Sequence, residues 1–323
     1  MKKTALFIFT AIVALISFSC DDNFEPKSNF KEQYILNCII NANSSVQIAT
    51  LAKSYDVNGY DPKTNTTDPA IAGADIKLIH KGVTYSFSDS TVVRTDSSRY
   101  KGPREIYVVR GLKFKANDSV KIVATLNNGV VLSSAIKIPP TFSFTTSHYD
   151  IDPEEIAKQG NLWSISWVSQ DKAIFFAPQF NLTYKKYSGS TYKVYNEKIP
   201  LTYYLNNNNK YTPEYLPSVS TSTGFSYDMA SFDSVLTNIS MNDPDKDNYD
   251  VLYCSFSMLA LNETLAAYYS TSNGYLDNVT IRLDEGDYTN INGGLGIFGA
   301  YILSATNVML ETDYVNSFGY ANQ

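Results

Sequence analysis

The stretch SVKIVATLNNGVVLSSAIKI, Ser119 to Ile138, decides the fold class. Two alternating apolar runs, Ser119 to Leu126 and Val130 to Ile138, flank Asn127-Asn128-Gly129. Asn-Gly between such runs is the strongest short-range hairpin signal, because tight hairpin turns need positive φ at their centre. Working outward, Tyr34 to Ile40 (YILNCII) and Val46 to Leu51 (VQIATL) read as strands paired across an Asn-Ala-Asn-Ser turn. Ala74 to His80 (ADIKLIH) alternates, with Ile76 and Leu78 on one face and Asp75, Lys77 and Ile79 on the other. Lys81-Gly82 turns the chain into Val83 to Phe87, and Glu105 to Val109 adds another strand. Between the Val46 to Leu51 and Ala74 to His80 strands, Tyr55 to Pro69, dense in Asp, Asn, Gly and Pro, reads as a long surface loop. Some seven short strands in about a hundred residues is the spacing of an immunoglobulin-like or fibronectin-like β-sandwich.

Downstream, Ile138-Pro139-Pro140 interrupts the pattern, since proline cannot continue a central strand. The expected organisation is a sandwich over 32–139 and a second β-rich domain over 140–323, with one or two short helices. Ile151 to Lys158 (IDPEEIAK) is one helix: Asp152 is its N-cap, Pro153 its first residue, and Glu154-Glu155 lie in its first turn. Asn262 to Tyr269 (NETLAAYY), capped by Asn262, is the other. Leu162 to Val168 alternates, so Trp163, Ile165 and Trp167 share a face that reads as core. Ala173 to Tyr187 and Thr191 to Tyr204 are aromatic strands split by Ser188-Gly189, and Asp250 to Leu259 is a central strand. With 25 Tyr and 17 Phe in the chain, Tyr184, Tyr187, Tyr192, Tyr195, Tyr203 and Tyr204 cannot all be core. Some must face outward, where Tyr is favoured at interfaces.

The N-terminus carries an address. Lys2 and Lys3 precede a mostly apolar run, Thr4 to Phe18, and Ser17, Ser19 and Cys20 supply the small side chains a signal peptidase requires. A permanent span needs about 20 apolar residues, so this run is too short for one. Ordinary secretion would leave Cys20 as a thiol; lipoprotein processing would cut before it and acylate its sulfur. The second fits better, because small residues crowd up to Cys20 and a polar, tether-like segment follows. The expected divisions are a signal peptide over 1–19 and a lipidated tether over 20–31. Losing Lys2 and Lys3 leaves 24 basic against 32 acidic residues, a net charge of −8. Phosphate backbones repel such a chain, which argues against nucleic-acid partners. Cys38 and Cys254 lie in apolar runs and read as buried free thiols rather than a disulfide.

Catalytic chemistry finds little support. His80 and His148 are the only histidines, both expected at the surface, and no nucleophile elbow or zinc-binding helix accompanies them. Asp243, Asp245 and Asp247 have the i, i+2, i+4 spacing of a calcium loop, yet Asn248 and Cys254 stand where that pattern wants Gly and Glu. A solvated turn is the simpler reading. Glu154, Glu155, Glu285 and Asp287 could furnish an acidic pair for glycan hydrolysis, but their spacing gives no warrant for one. Gly293 to Gly299 (GGLGIFG) lacks the lysine of a phosphate loop and reads as bulges or close backbone packing within a strand. No cofactor is expected.

Three stretches carry a resemblance: YILNCIINANSSVQIATLAKSYDV (Tyr34 to Val57), IPP (Ile138 to Pro140) and YTNINGGLGIFGAY (Tyr288 to Tyr301). Together they resemble the Bacteroidota lipoprotein family catalogued as domain of unknown function 4249. That resemblance implies a lipoprotein commonly encoded beside TonB-dependent outer-membrane receptors, with no catalytic residues to carry over. Asp21, Asp22, Phe24 and Glu25 after Cys20 likewise resemble the acidic export signal that sends such lipoproteins to the cell surface. The expected function is therefore that of an outer-membrane, surface-exposed lipoprotein, held by lipid on Cys20. It would be an accessory to a TonB-dependent receptor or another envelope β-barrel. An extracellular glycan-binding protein or an acidic-pair hydrolase is the alternative.

Overall fold

The computed structural model describes residues 30–59, 61–146, 149–169, 175–206, 210–241, 243–271 and 288–322. Within them the chain is mainly β. Its first half forms β1 (Tyr34–Asn41), β2 (Val46–Lys53), β3 (Asp75–His80), β4 (Val83–Ser86), β5 (Ser88–Val92), β6 (Arg104–Arg110), β7 (Ser119–Thr125) and β8 (Val131–Lys137). Its second half forms β9 (Phe142–Phe144), β10 (Tyr149–Ile151), α1 (Pro153–Lys158), β11 (Leu162–Ser169), β12 (Phe175–Ser188) and β13 (Thr191–Lys198). There follow β14 (Thr202–Leu205), β15 (Tyr211–Glu214), β16 (Gly224–Asp228), α2 (Met229–Asn238), β17 (Tyr249–Leu261) and α3 (Glu263–Thr271). The chain closes with β18 (Phe298–Leu310), α4 (Thr312–Ser317) and β19 (Ala321–Asn322).

One long sheet, ordered β13-β12-β17-β18-β1-β2-β6-β5, runs through both halves. In the first half, β4-β3-β7-β8 packs against it as the second layer of a sandwich. Alternation explains the packing: Ile76 and Leu78 of β3, Val120, Ile122 and Ala124 of β7, and Leu132 of β8 all point into one core. That core also takes Leu36, Cys38 and Ile40 from β1, and Ile291, Phe298 and Ala300 from the far end of the chain. In the second half β16-β11-β9 and α2 cover β12, β17 and β18, enclosing Trp163, Trp167, Phe180, Tyr227, Phe232 and Phe256. Both tryptophans are core residues as their alternation requires, and Trp163 Nε1 donates to the Asp150 carbonyl at 3.0 Å.

The Gly-rich segment joins the halves. Residue 295 lies between strands, where its N–H donates to the Tyr34 carbonyl (2.8 Å) and its carbonyl accepts from Leu36 N–H (2.9 Å). On the other layer, Asn292 and Ser133 exchange backbone hydrogen bonds at 2.8 and 3.1 Å. Beyond it β18 runs parallel to β1, Cys38 opposite Phe298 and Asn41 opposite Tyr301. Gly296 has φ +112°, and a Cβ there would stand 2.1 Å from the Leu36 carbonyl oxygen. Only glycine lets the two backbones come this close.

Both helices read from the sequence form. Asp152 Oδ1 accepts from the N–H groups of Glu154 and Glu155 at 2.9 and 3.3 Å, capping α1. Asn262 Oδ1 accepts from Leu265 N–H at 3.2 Å and Ala300 N–H at 3.0 Å, which ties the start of α3 to β18. Helices α2 and α4 are additional, and neither has a side-chain N-cap hydrogen bond to announce it. No helix among the described residues is long and apolar enough to cross a membrane.

Candidate interaction surface

Strand alternation divides the long sheet into two faces in the second half. Phe180, Leu182 and Tyr184 of β12 enter the core, so Gln179, Asn181, Thr183, Lys185 and Tyr187 take the opposite side. Register aligns this outer side across strands. Asn181 lies opposite both Lys198 of β13 and Ser255 of β17, and Ser255 opposite Asn307 of β18. The next row sets Asn196, Thr183 and Tyr253 side by side, with Thr183 Oγ1 donating to Asn196 Oδ1 at 2.8 Å. On the other flank Gln179, Ser257 and Ala305 form a third row. Four strands thus present a lattice of amides and hydroxyls, most of them half-buried or exposed.

Aromatic groups border this lattice at both ends. Towards the hairpin tip, Leu252 is an extra residue: Thr183 pairs with Tyr253, but Tyr184 pairs with Val251. Such a bulge re-aims side chains locally. It keeps Asp250 on the outer side beside Lys185, where the Asp250 carboxylate accepts from the Tyr187 hydroxyl at 2.7 Å. That hydrogen bond, aided by burial, raises the Tyr187 pKa. Tyr187 in turn meets Tyr192 at 5.6 Å between ring centroids, and the Lys185 ammonium lies 5.1 Å from the Tyr192 ring centre. At the other end α3 folds over the sheet, packing Leu265 and Ala266 on Ala177, Leu259 and Leu261, with Tyr269 and Tyr301 alongside. Burial pushes the Tyr269 pKa up to about 12.

The six tyrosines of this region divide as the sequence requires. Tyr184 is buried and stacks on Tyr195 at 5.4 Å; Tyr187 and Tyr203 are half-buried; Tyr192, Tyr195 and Tyr204 are exposed. What local sequence does not reveal is that Ser255, Ser257 and Asn307 join Asn181. They lie far apart in the chain, and only strand order unites them.

Other singled-out residues go elsewhere. Cys20, Asp21, Asp22, Phe24, Glu25, His148, Glu285 and Asp287 lie outside the described residues. Glu154 and Glu155 sit exposed in the first turn of α1, with Glu155 bound to Lys158 at 2.5 Å. Asp243, Asp245 and Asp247 do not converge. Asp243 accepts from the Tyr249 hydroxyl at 2.8 Å and from Asp245 N–H at 3.1 Å, with Lys186 at 3.5 Å. Its pKa falls, chiefly through the Tyr249 hydrogen bond. Asp245 accepts from Asn248 Nδ2 at 2.9 Å, and Asp247 is exposed. Among the described residues no three His, Cys, Asp or Glu side chains assemble as metal ligands. Cys38 and Cys254 are buried free thiols, and burial pushes Cys38 up to about 12 and raises Cys254 as well. Neither suits nucleophilic work, which needs thiolate.

His80 corrects the sequence reading. It is buried rather than at the surface, its Nε2 2.8 Å from Asp118 Oδ2 and its ring 5.1 Å from that of Phe114. The signal was present: His80 has the parity of Ile76 and Leu78 and so shares their inward face.

No curated protein matches the chain. A family model does, over residues 21–304, ending in the middle of β18. By that match the chain belongs to the family described as a domain of unknown function, DUF4249.

Proposed function

We propose that this protein is a lipid-anchored binding component of the bacterial outer membrane, carried on acylated Cys20 and displayed at the cell surface. Its partner is an envelope protein such as a TonB-dependent receptor. The observation that carries this reading is the outer face of β12, β13, β17 and β18. It is a broad polar lattice edged with tyrosine, with the composition of a recognition surface rather than of a catalytic cleft. Its position fits. Asn41, Tyr301, Leu261 and Phe175 stand level across β1, β18, β17 and β12, so most of the lattice lies beyond the end of β1. The tether joins at the opposite end of β1. A partner can therefore be met away from the anchoring bilayer.

Two measurements test it. Cys20→Ala should move the protein from the membrane fraction to the soluble one, and Asn181→Arg with Asn196→Arg should lose a partner recovered from detergent-solubilised membranes. An unchanged distribution for the first variant, or unchanged recovery for the second, overturns the reading. The same lattice favours a second reading, a neutral glycan held by amides and hydroxyls with tyrosine rings for stacking. Binding on a glycan array that the Asn181→Arg variant abolishes would select it.

A further inference from the structure

Among the described residues the long sheet ends at β13, and no further strand pairs with that edge. Ser188 and Thr191 face each other across Gly189-Ser190, with Gly189 at φ +62°. A two-residue turn of this kind makes its flanking residues a hydrogen-bonded pair, and the pairing alternates from there. Thr191, Lys193, Tyr195 and Glu197 accordingly direct their backbone groups at β12. Tyr192, Val194, Asn196 and Lys198 direct theirs away from it. Among the described residues β13 pairs with β12 alone, and all eight of its residues are exposed. Natural sheets usually shorten, bulge or cover such an edge, or post charges along it. Here the charges are Lys193, Glu197 and Lys198, and their order matters.

We propose that β13 is a self-association edge: it pairs antiparallel with β13 of a second copy, about a two-fold axis through Tyr195. A ladder forms only where outward-directed residues oppose outward-directed residues, which leaves few registers. Centred on Lys193, the pairing opposes two ammonium groups. Centred on Val194 it sets Lys193 against Tyr195 and Thr191 against Glu197; centred on Asn196 it sets Tyr195 against Glu197. Centred on Tyr195 it sets Lys193 against Glu197 twice and Val194 against Asn196 twice. This is the one in-phase register that matches opposite charges, and directly opposed unlike charges stabilise a sheet where like charges destabilise it. It also places the two Tyr195 side chains at a non-hydrogen-bonded site, where strands bring side chains closest. Tyr195 already stacks on Tyr184, so four rings would run unbroken across the junction. The charge order that repels an unrelated strand is complementary to itself. The pairing does not depend on the lipid anchor.

Full-length protein carrying Tyr195→Cys, extracted in detergent and mildly oxidised, is expected to form a disulfide-linked dimer. Tyr192→Cys is expected not to, because its counterpart lies six register steps away, roughly 20 Å along the strand. Sedimentation gives an independent arm that leaves Tyr195 intact. Lys193→Glu should weaken self-association about tenfold, and Lys193→Glu with Glu197→Lys should restore it to within about twofold, since each opposed pair occurs twice. Failure of Tyr195→Cys to cross-link, equal cross-linking at position 192, or no rescue by the charge exchange overturns the proposal. So does a different envelope protein captured at position 195 with no homodimer.

Discussion

At Asp118 three donors meet one carboxylate. Lys115 N–H lies 2.8 Å away, His80 Nε2 2.8 Å and the Lys81 ammonium 2.9 Å. Burial alone would raise its pKa; the three hydrogen bonds outweigh it and hold the acid at about 2. A folded-state pKa below the unfolded value of about 3.9 stabilises the fold above that pH, and the contribution disappears as pH falls through about 2. Asp118→Ala should therefore lower the unfolding free energy at pH 7 by on the order of 1–2 kcal/mol. The deficit should shrink towards zero near pH 2. Urea titrations of both proteins at the two pH values check this, and a deficit as large at pH 2 would contradict it.

Among the elements, the join at Gly296 has the least tolerance. Any side chain there collides with the Leu36 carbonyl and must also adopt a left-handed φ. Gly296→Ala should cost upwards of about 3 kcal/mol, because neither backbone can retreat without breaking its ladder. Gly102→Ala, with open space around it, should stay within about 0.5 kcal/mol. Thermal unfolding of the two variants makes the comparison, and equal midpoints would refute it. Elements were legible where a buried face imposed a period. Seven strands of the first half, the inward tryptophans of β11 and two capped helices follow from alternation and capping residues. Strand β5 (SDSTV) did not show itself, since it is wholly exposed at the opposite edge of the long sheet and has no apolar period. Helix α2 lacks a side-chain cap bond. The outer lattice was half legible: β12 displays its own polar face, but not which strands extend it.

Over the whole molecule, register gives a length. From Tyr34 to Asn41 is seven residues along β1, and from the same level Phe175 to Ser188 is 13 more along β12. Twenty residues at about 3.3 Å make roughly 65 Å of strand path before twist shortens it. The same connectivity leaves the sandwich incomplete on its own. Ile291, Phe298 and Ala300 belong to its core, and burying each of the two large side chains contributes about 2 kcal/mol. A fragment of residues 32–139 should therefore fail to unfold cooperatively, and a fragment extended by residues 288–310 through a flexible linker should recover a sharp transition. Cooperative unfolding of the short fragment would show that the returning strand is dispensable.

The parallel pairing of β1 with β18 has a consequence in time. Strand β1 pairs at once with β2 on one side but meets β18 on the other only some 260 residues later, and contacts of such long range form slowly because a large loop must close first. Translation therefore delivers β1 long before its parallel partner β18 exists. Until the last tenth of the polypeptide emerges, one edge of β1 has no parallel partner and the first core lacks Phe298 and Ala300.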